Sequence, residues 1–179
     1  MSPIFEESAF DFVSRSAEQT RRLGARLGAL LQCGDVICLA GELGAGKTQM
    51  AAGIAAGWGA LEPVTSPTFV MVHEHTRAAD ALRLYHIDCY RMDGVAALWT
   101  FGWDDILDQG GPLVIEWPER IEAALPPERL WITLSHIDVE GEENRRHLLF
   151  EAEGERHQAL LDEFRRRAFG APPGVVPAD

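Results

Sequence analysis

The chain has 179 residues, 46% of them hydrophobic, enough to bury one sizeable core and too few for two large domains. Its formal net charge is −12, from 28 acidic and 16 basic residues, which excludes a protein that grips nucleic acid mainly by its own surface, because such a grip needs clustered Lys and Arg. The cysteines, Cys33, Cys38 and Cys89, are odd in number and form no CxxC, so they imply neither a disulfide framework nor a zinc knuckle and read as small buried hydrophobes in a reducing cytoplasm.

Along the chain, the opening MSPIFEESAFDF is acidic and has no apolar stretch of signal-peptide type. No apolar run reaches membrane-spanning length, so a soluble, cytoplasmic protein without membrane contact is expected. Residues 10–13 suit a short edge strand. Ser16 and Gln19 have capping-box spacing, and Leu23, Leu27, Leu30 and Leu31 follow at helical period, with Gly34 as the expected stop. VICLA (36–40) reads as a strand buried on both faces, and 48–56 as a helix ending near residues 57–59.

After a loop at 62–67, residues 69–73 and 82–88 suggest a β-hairpin whose turn holds 78–80. Short helical pieces fit 95–99 and 104–108. Residues 113–117 form another apolar strand, with Pro118 at the first position of a following helix. Leu130, Ile132 and Leu134 alternate with Trp131 and Thr133 in a further strand, which pairs with 146–152 through the polar turn 138–144. Residues 155–168 form an amphipathic helix. The expected fold is α/β, three-layered, with a largely parallel central sheet plus an antiparallel hairpin. One domain spans 1–169, and the Pro- and Gly-rich stretch 170–179 reads as a disordered tail.

Between the buried strand and its helix lies Gly41-Glu42-Leu43-Gly44-Ala45-Gly46-Lys47-Thr48, a match to GxxxxGK[ST] in the strand–loop–helix context a P-loop requires. Glycines let the backbone curl until its N–H groups face phosphate oxygens, and the helix N-terminus adds positive charge. Lys47 would reach the β- and γ-phosphates of a nucleoside triphosphate and the Thr48 hydroxyl would ligate Mg²⁺. Lys47 is also the one lysine beside fifteen arginines, as expected where a compact ammonium is needed and a planar fork is not.

Glu116 ends the apolar strand Leu113-Val114-Ile115 and supplies the carboxylate such a site needs for magnesium or for the attacking water. In His86-Ile87-Asp88, alternation puts His86 and Asp88 on one face. Asp88 could order magnesium waters, whereas His86 by itself reads as a core histidine. Thr65, Ser66 and Thr68 form a hydroxyl-rich loop around Pro67, where a γ-phosphate-sensing switch would sit, although a plain Ser/Thr turn has the same composition.

GELGAGKT, TSPTF, HIDCYR and IEWPER, in that order, make the chain resemble the TsaE (YjeE-like) family from about Ser14 to Arg146. The resemblance implies an ATPase of P-loop fold that works with TsaB- and TsaD-like partners in making threonylcarbamoyladenosine in tRNA. It assigns phosphate contact to Lys47, Mg²⁺ to Thr48 and Glu116, catalytic work to Asp88, and the switch-like loop to Ser66 and Thr68. More weakly, it places a basic residue near the nucleotide at Arg145 or Arg146. Given the charge, tRNA would be met only through the complex. The acidic turn 140–144, the cluster Arg165 to Arg167 and the tail depart from the family pattern. A small-molecule kinase and a nucleotide-gated adaptor are the alternatives. A GTPase is disfavoured, because a guanine-reading N/T-K-x-D motif needs a lysine other than Lys47.

Overall fold

A computed structural model describes residues 9–64, 71–138 and 143–170. The elements are β1 (Ala9–Ser14), α1 (Ala17–Gly28), β2 (Val36–Gly41), α2 (Lys47–Trp58), β3 (Val72–Thr76), β4 (Arg83–Asp88), a 3₁₀ segment (Val95–Phe101), α3 (Trp103–Gln109) and β5 (Leu113–Glu116). Two 3₁₀ turns (Pro118–Arg120 and Glu122–Ala124), β6 (Arg129–His136), β7 (Arg146–Glu153) and α4 (Glu155–Phe169) follow. One seven-stranded sheet runs in the order β1-β7-β6-β2-β5-β4-β3. Its centre, β6-β2-β5-β4, is parallel. Antiparallel β3 completes the hairpin at one edge, and antiparallel β7 and β1 form the other. The α/β class and the hairpin on a parallel centre agree with the sequence.

Parallel strands need cover on both faces. On one face Ile37, Leu39, Ile132 and Phe150 meet α1, α2 and α4 through Leu27, Met50, Ile54 and Phe164. On the other, Val36, Cys38, Ile87 and Ile115 meet Leu98, Trp103, Ile106 and Ile121. The glycine-rich sequence from Gly41 to Thr48 follows β2, in the middle of the sheet.

Ser16 caps α1 by accepting the Gln19 N–H at 3.1 Å, while Gln19 Oε1 accepts from the Arg15 N–H at 2.7 Å, one residue earlier than a standard capping box. The helix stops at Gly28, well short of Gly34. Two i→i+3 bonds, Leu30 N–H to Leu27 and Leu31 N–H to Gly28, tighten its exit. Gly34, at φ 79°, instead turns the chain into β2 and donates to the Gly110 carbonyl at 2.7 Å. Gly59 ends α2 in the left-handed conformation. Gly57 lies inside α2 and faces α1, where a Cβ would stand 1.9 Å from the Ala25 carbonyl oxygen. Across the same seam a Cβ at Gly28 or Gly53 would meet backbone oxygen at 2.0 Å, and one at Gly24 at 2.5 Å.

The first hairpin strand begins at Val72 and runs to Thr76, later than expected; residues 69 and 70 lie outside the described residues. Its polar run continues the strand because the residues alternate: His73 and His75 turn toward α2's side of the sheet, and Glu74 turns away to accept from Arg83 at 2.5 Å. The turn forms where expected, closed by the two-pronged Arg77–Asp80 ion pair.

Candidate phosphate-binding site

β2 enters the loop at Gly41, whose φ of 137° and position 2.1 Å (as a Cβ) from the Leu134 carbonyl oxygen admit only glycine. Gly46 caps α2 at φ 103° without a side-chain bond, so the first-turn N–H groups have no capping acceptor. Lys47 is buried. Its Nζ donates to the carbonyls of Gly41 at 2.5 Å and Glu42 at 2.8 Å, and lies 3.8 Å from the centre of the Trp117 ring. Burial pushes the ammonium below its ordinary pKa, against the opposing pull of Glu116, Glu119, Asp88 and Glu42.

The parallel pairing of β4 and β5 sets Asp88 directly opposite Glu116 beside this loop. Glu116 is buried and accepts from Thr48 Oγ1 at 3.1 Å through Oε2, while its Oε1 lies 2.8 Å from His86 Nε2. Asp88 Oδ1 accepts the Tyr90 N–H at 2.9 Å, and burial raises its pKa, with the Glu116 charge adding to the rise. Two carboxylates side by side with a hydroxyl form an all-oxygen donor set. It suits a hard cation that keeps water and phosphate among its ligands, as Mg²⁺ does. Among the described residues there is no cluster of three or more His, Cys, Asp or Glu that could hold a metal.

β5 ends at Glu116 and not at Trp117 as expected. Trp117 adopts φ 58°, rare for a bulky residue, and this turns the chain into the 3₁₀ turn that Pro118 opens. The turn lays the indole over Lys47 and against Tyr90, with ring centres 4.9 Å apart.

Gly41, Glu42, Leu43, Gly44, Ala45, Gly46, Lys47 and Thr48 are thus brought together with Asp88 and Glu116. Leu43 is largely exposed and Ala45 is buried. Thr65, Ser66 and Thr68 lie outside the described residues. Arg146 stands at the loop, its guanidinium donating to the Gly44 carbonyl at 3.4 Å, and the backbone carbonyl of the adjacent Arg145 accepts the Ile137 N–H at 3.4 Å. His86 and His136 are additions to the site. His136 donates its N–H to Glu42 Oε1 at 3.4 Å, and no local motif announces it. His86 opens the HIDCYR segment and shares the face of Asp88, but nothing in the sequence pairs it with Glu116.

Residues 14–147 match the model of the family described as threonylcarbamoyl adenosine biosynthesis protein TsaE. A Bacillus subtilis protein named tRNA threonylcarbamoyladenosine biosynthesis protein TsaE is 36% identical over 149 residues, 83% of this chain and 89% of the relative. A Treponema pallidum protein of the same name is 42% identical over 123 residues, 68% of this chain and 88% of the relative. The crystal structure of Bacillus subtilis YdiB superposes with a TM-score of 0.72 at 31% identity, covering 89% of this chain and 96% of that one. With the P-loop sequence, the paired carboxylates and these relatives in agreement, the chain belongs to the TsaE family.

Proposed function

We propose that this chain binds and hydrolyses Mg·ATP in the loop from Gly41 to Thr48, and that the cycle serves threonylcarbamoyladenosine formation in tRNA together with TsaB- and TsaD-like partners. The observation that carries the ATPase reading is Glu116, buried at the strand end and bonded to Thr48 beside the loop that Lys47 crosses. The relatives' shared name supports the pathway.

On nucleotide binding, Lys47 exchanges the Gly41 and Glu42 carbonyls for the β- and γ-phosphates, and the loop amides take the remaining oxygens. Thr48 and Glu116 hold Mg²⁺, which when bound neutralises charge on the phosphates. Asp88 orients the attacking water; burial raises its pKa, and the Glu116 charge beside it adds to the rise. The net charge of −12 leaves tRNA to the partners. Even the Arg165 to Arg167 cluster is partly neutralised, since Arg166 and Arg167 both pair with Glu163. No helix among the described residues is long and apolar enough to cross a membrane; the proposed role in tRNA modification is what assigns the protein to the cytoplasm.

Glu116→Gln keeps the shape and removes the charge. ATP binding should persist while turnover, measured with the partner pair, falls about a hundredfold or more. Turnover equal to the parent's would remove Glu116 from the site. An amine reagent should modify Lys47, the chain's one lysine, more slowly when Mg·ATP is present.

A further inference from the structure

His86 and Glu116 expose only 1% and 2% of their side chains, so both are shielded from bulk solvent. An ionised carboxylate can only accept, so the 2.8 Å contact requires the hydrogen on His86 Nε2. The other ring nitrogen, Nδ1, is buried and has no hydrogen-bond partner among the described residues. One ring nitrogen in each of His73, His75 and His157 is likewise buried without a partner among the described residues, so what sets His86 apart is the buried carboxylate on its Nε2. The ring is fixed from the far side by β3, where His73 stands directly opposite His86 with ring centres 6.4 Å apart.

Glu116 hangs from the last residue of β5 on a flexible side chain, with the Lys47 ammonium pulling on it. With Thr48 as its sole partner the carboxylate could rotate. A donor on Oε1 leaves Oε2 pointing at the Thr48 hydroxyl. We propose that His86 is a positioning residue of the phosphate site, donating from Nε2 to Glu116 Oε1 so that Oε2 faces Thr48 and the magnesium of a bound nucleotide. The role rests on the Mg·ATP function proposed above. Groups that orient a metal ligand commonly carry a 10- to 100-fold share of affinity or rate.

The test compares His86→Gln, whose amide nitrogen can reach the place of Nε2, with His86→Asn, whose nitrogen falls short, and with His86→Leu. Binding of a non-hydrolysable ATP analogue is measured by calorimetry in Mg²⁺ and in EDTA. ATPase kinetics with the partner pair and melting temperatures complete the set. In Asn and Leu the gain in affinity from Mg²⁺ and kcat should each fall about 10- to 100-fold, and KM for Mg·ATP should rise in step with the lost affinity. Gln should recover both to within about threefold of the parent. If Leu fails to fold, the Asn–Gln pair carries the comparison. Asn equal to the parent, or Gln as impaired as Asn while both melt alike, would overturn the positioning role and leave the ATPase standing. A parent that gains no affinity from Mg²⁺ would overturn the proposed function and this role with it.

Discussion

The two faces of the sheet are held by different means. On one, α1 and α2 meet backbone to backbone along Gly24, Gly28, Gly53 and Gly57, and α4 closes the layer with Leu160, Leu161 and Phe164. On the other, short 3₁₀ turns and the seven-residue α3 cover the strands through interleaved side chains such as Leu98, Trp103 and Ile106. A seam of backbone against backbone leaves no rotamer to adjust, whereas a layer of side chains can relax around a change. The phosphate loop opens into α2, so it is anchored to the less forgiving face.

The largest test of this contrast adds a single methyl group. A Cβ at Gly53 would lie 2.0 Å from the Arg21 carbonyl oxygen, so Gly53→Ala should lose about 2 kcal/mol or more. Helix propensity alone would give a gain of about 1 kcal/mol, which makes the sign the decisive reading. The midpoint of urea unfolding should fall with an unchanged slope; a raised midpoint would show that the seam is loose.

Next in size is a pH effect confined to the helix face. His157 on α4 accepts the Val36 N–H at 3.0 Å through Nε2, which requires a neutral ring. Burial lowers its pKa, helped by Arg156 and opposed by Asp35 and Glu128, and burial likewise lowers His73 and His75. These histidines take up protons on unfolding, so stability present above pH ~6.5 is lost as pH falls below it, by at most about 1.4 kcal/mol per pH unit for each. Asp88, whose pKa is raised, works the other way and gains stability on acidification. The melting temperature should therefore drop from pH 7 to pH 5, and His157→Gln should flatten the slope. An unchanged slope would remove His157 as a contributor.

On the opposite face, Ile106→Val removes one methylene from a buried contact and should lose about 1 kcal/mol by the same urea measurement, less than Gly53→Ala loses by adding one. A larger loss than at Gly53 would reverse the contrast. The smallest test changes no energy. Cys38 and Cys89 sit in this second layer with their thiols pushed up to about 12 by burial, and Cys33 is exposed. A thiol reagent should label Cys33 in the native protein and all three cysteines in denaturant.

How far these features could be read in advance follows from the range of the interactions behind them. The phosphate loop, its flanking strand and helix, and Glu116 at a strand end are local patterns, visible in a handful of adjacent residues. Gly57 looked like a helix stop because glycine usually weakens helices. Its service as a contact surface depends on Ala25, on another helix. The end of α1 was misplaced at Gly34 because the leucine period runs past Gly28, where the chain must already turn toward β2. His86 was hidden for the same kind of reason. Alternation gives its face, but its partner Glu116 arrives from β5, and only the parallel register brings the two within bonding distance.

The placement of β2 also has a consequence for the order in which the protein can be made. Val36–Gly41 leaves the ribosome early, yet its neighbours on either side are β5 and β6, with Leu39 opposite Glu116 and Gly41 opposite Leu134. Until translation reaches the region of His136, the loop has no wall behind Gly41, and until it reaches Glu116 there is no carboxylate for Thr48. Pairings this distant in sequence form slowly and late. A nascent or truncated chain that stops short of β6 therefore carries the whole sequence from Gly41 to Thr48 without the strands that wall it in.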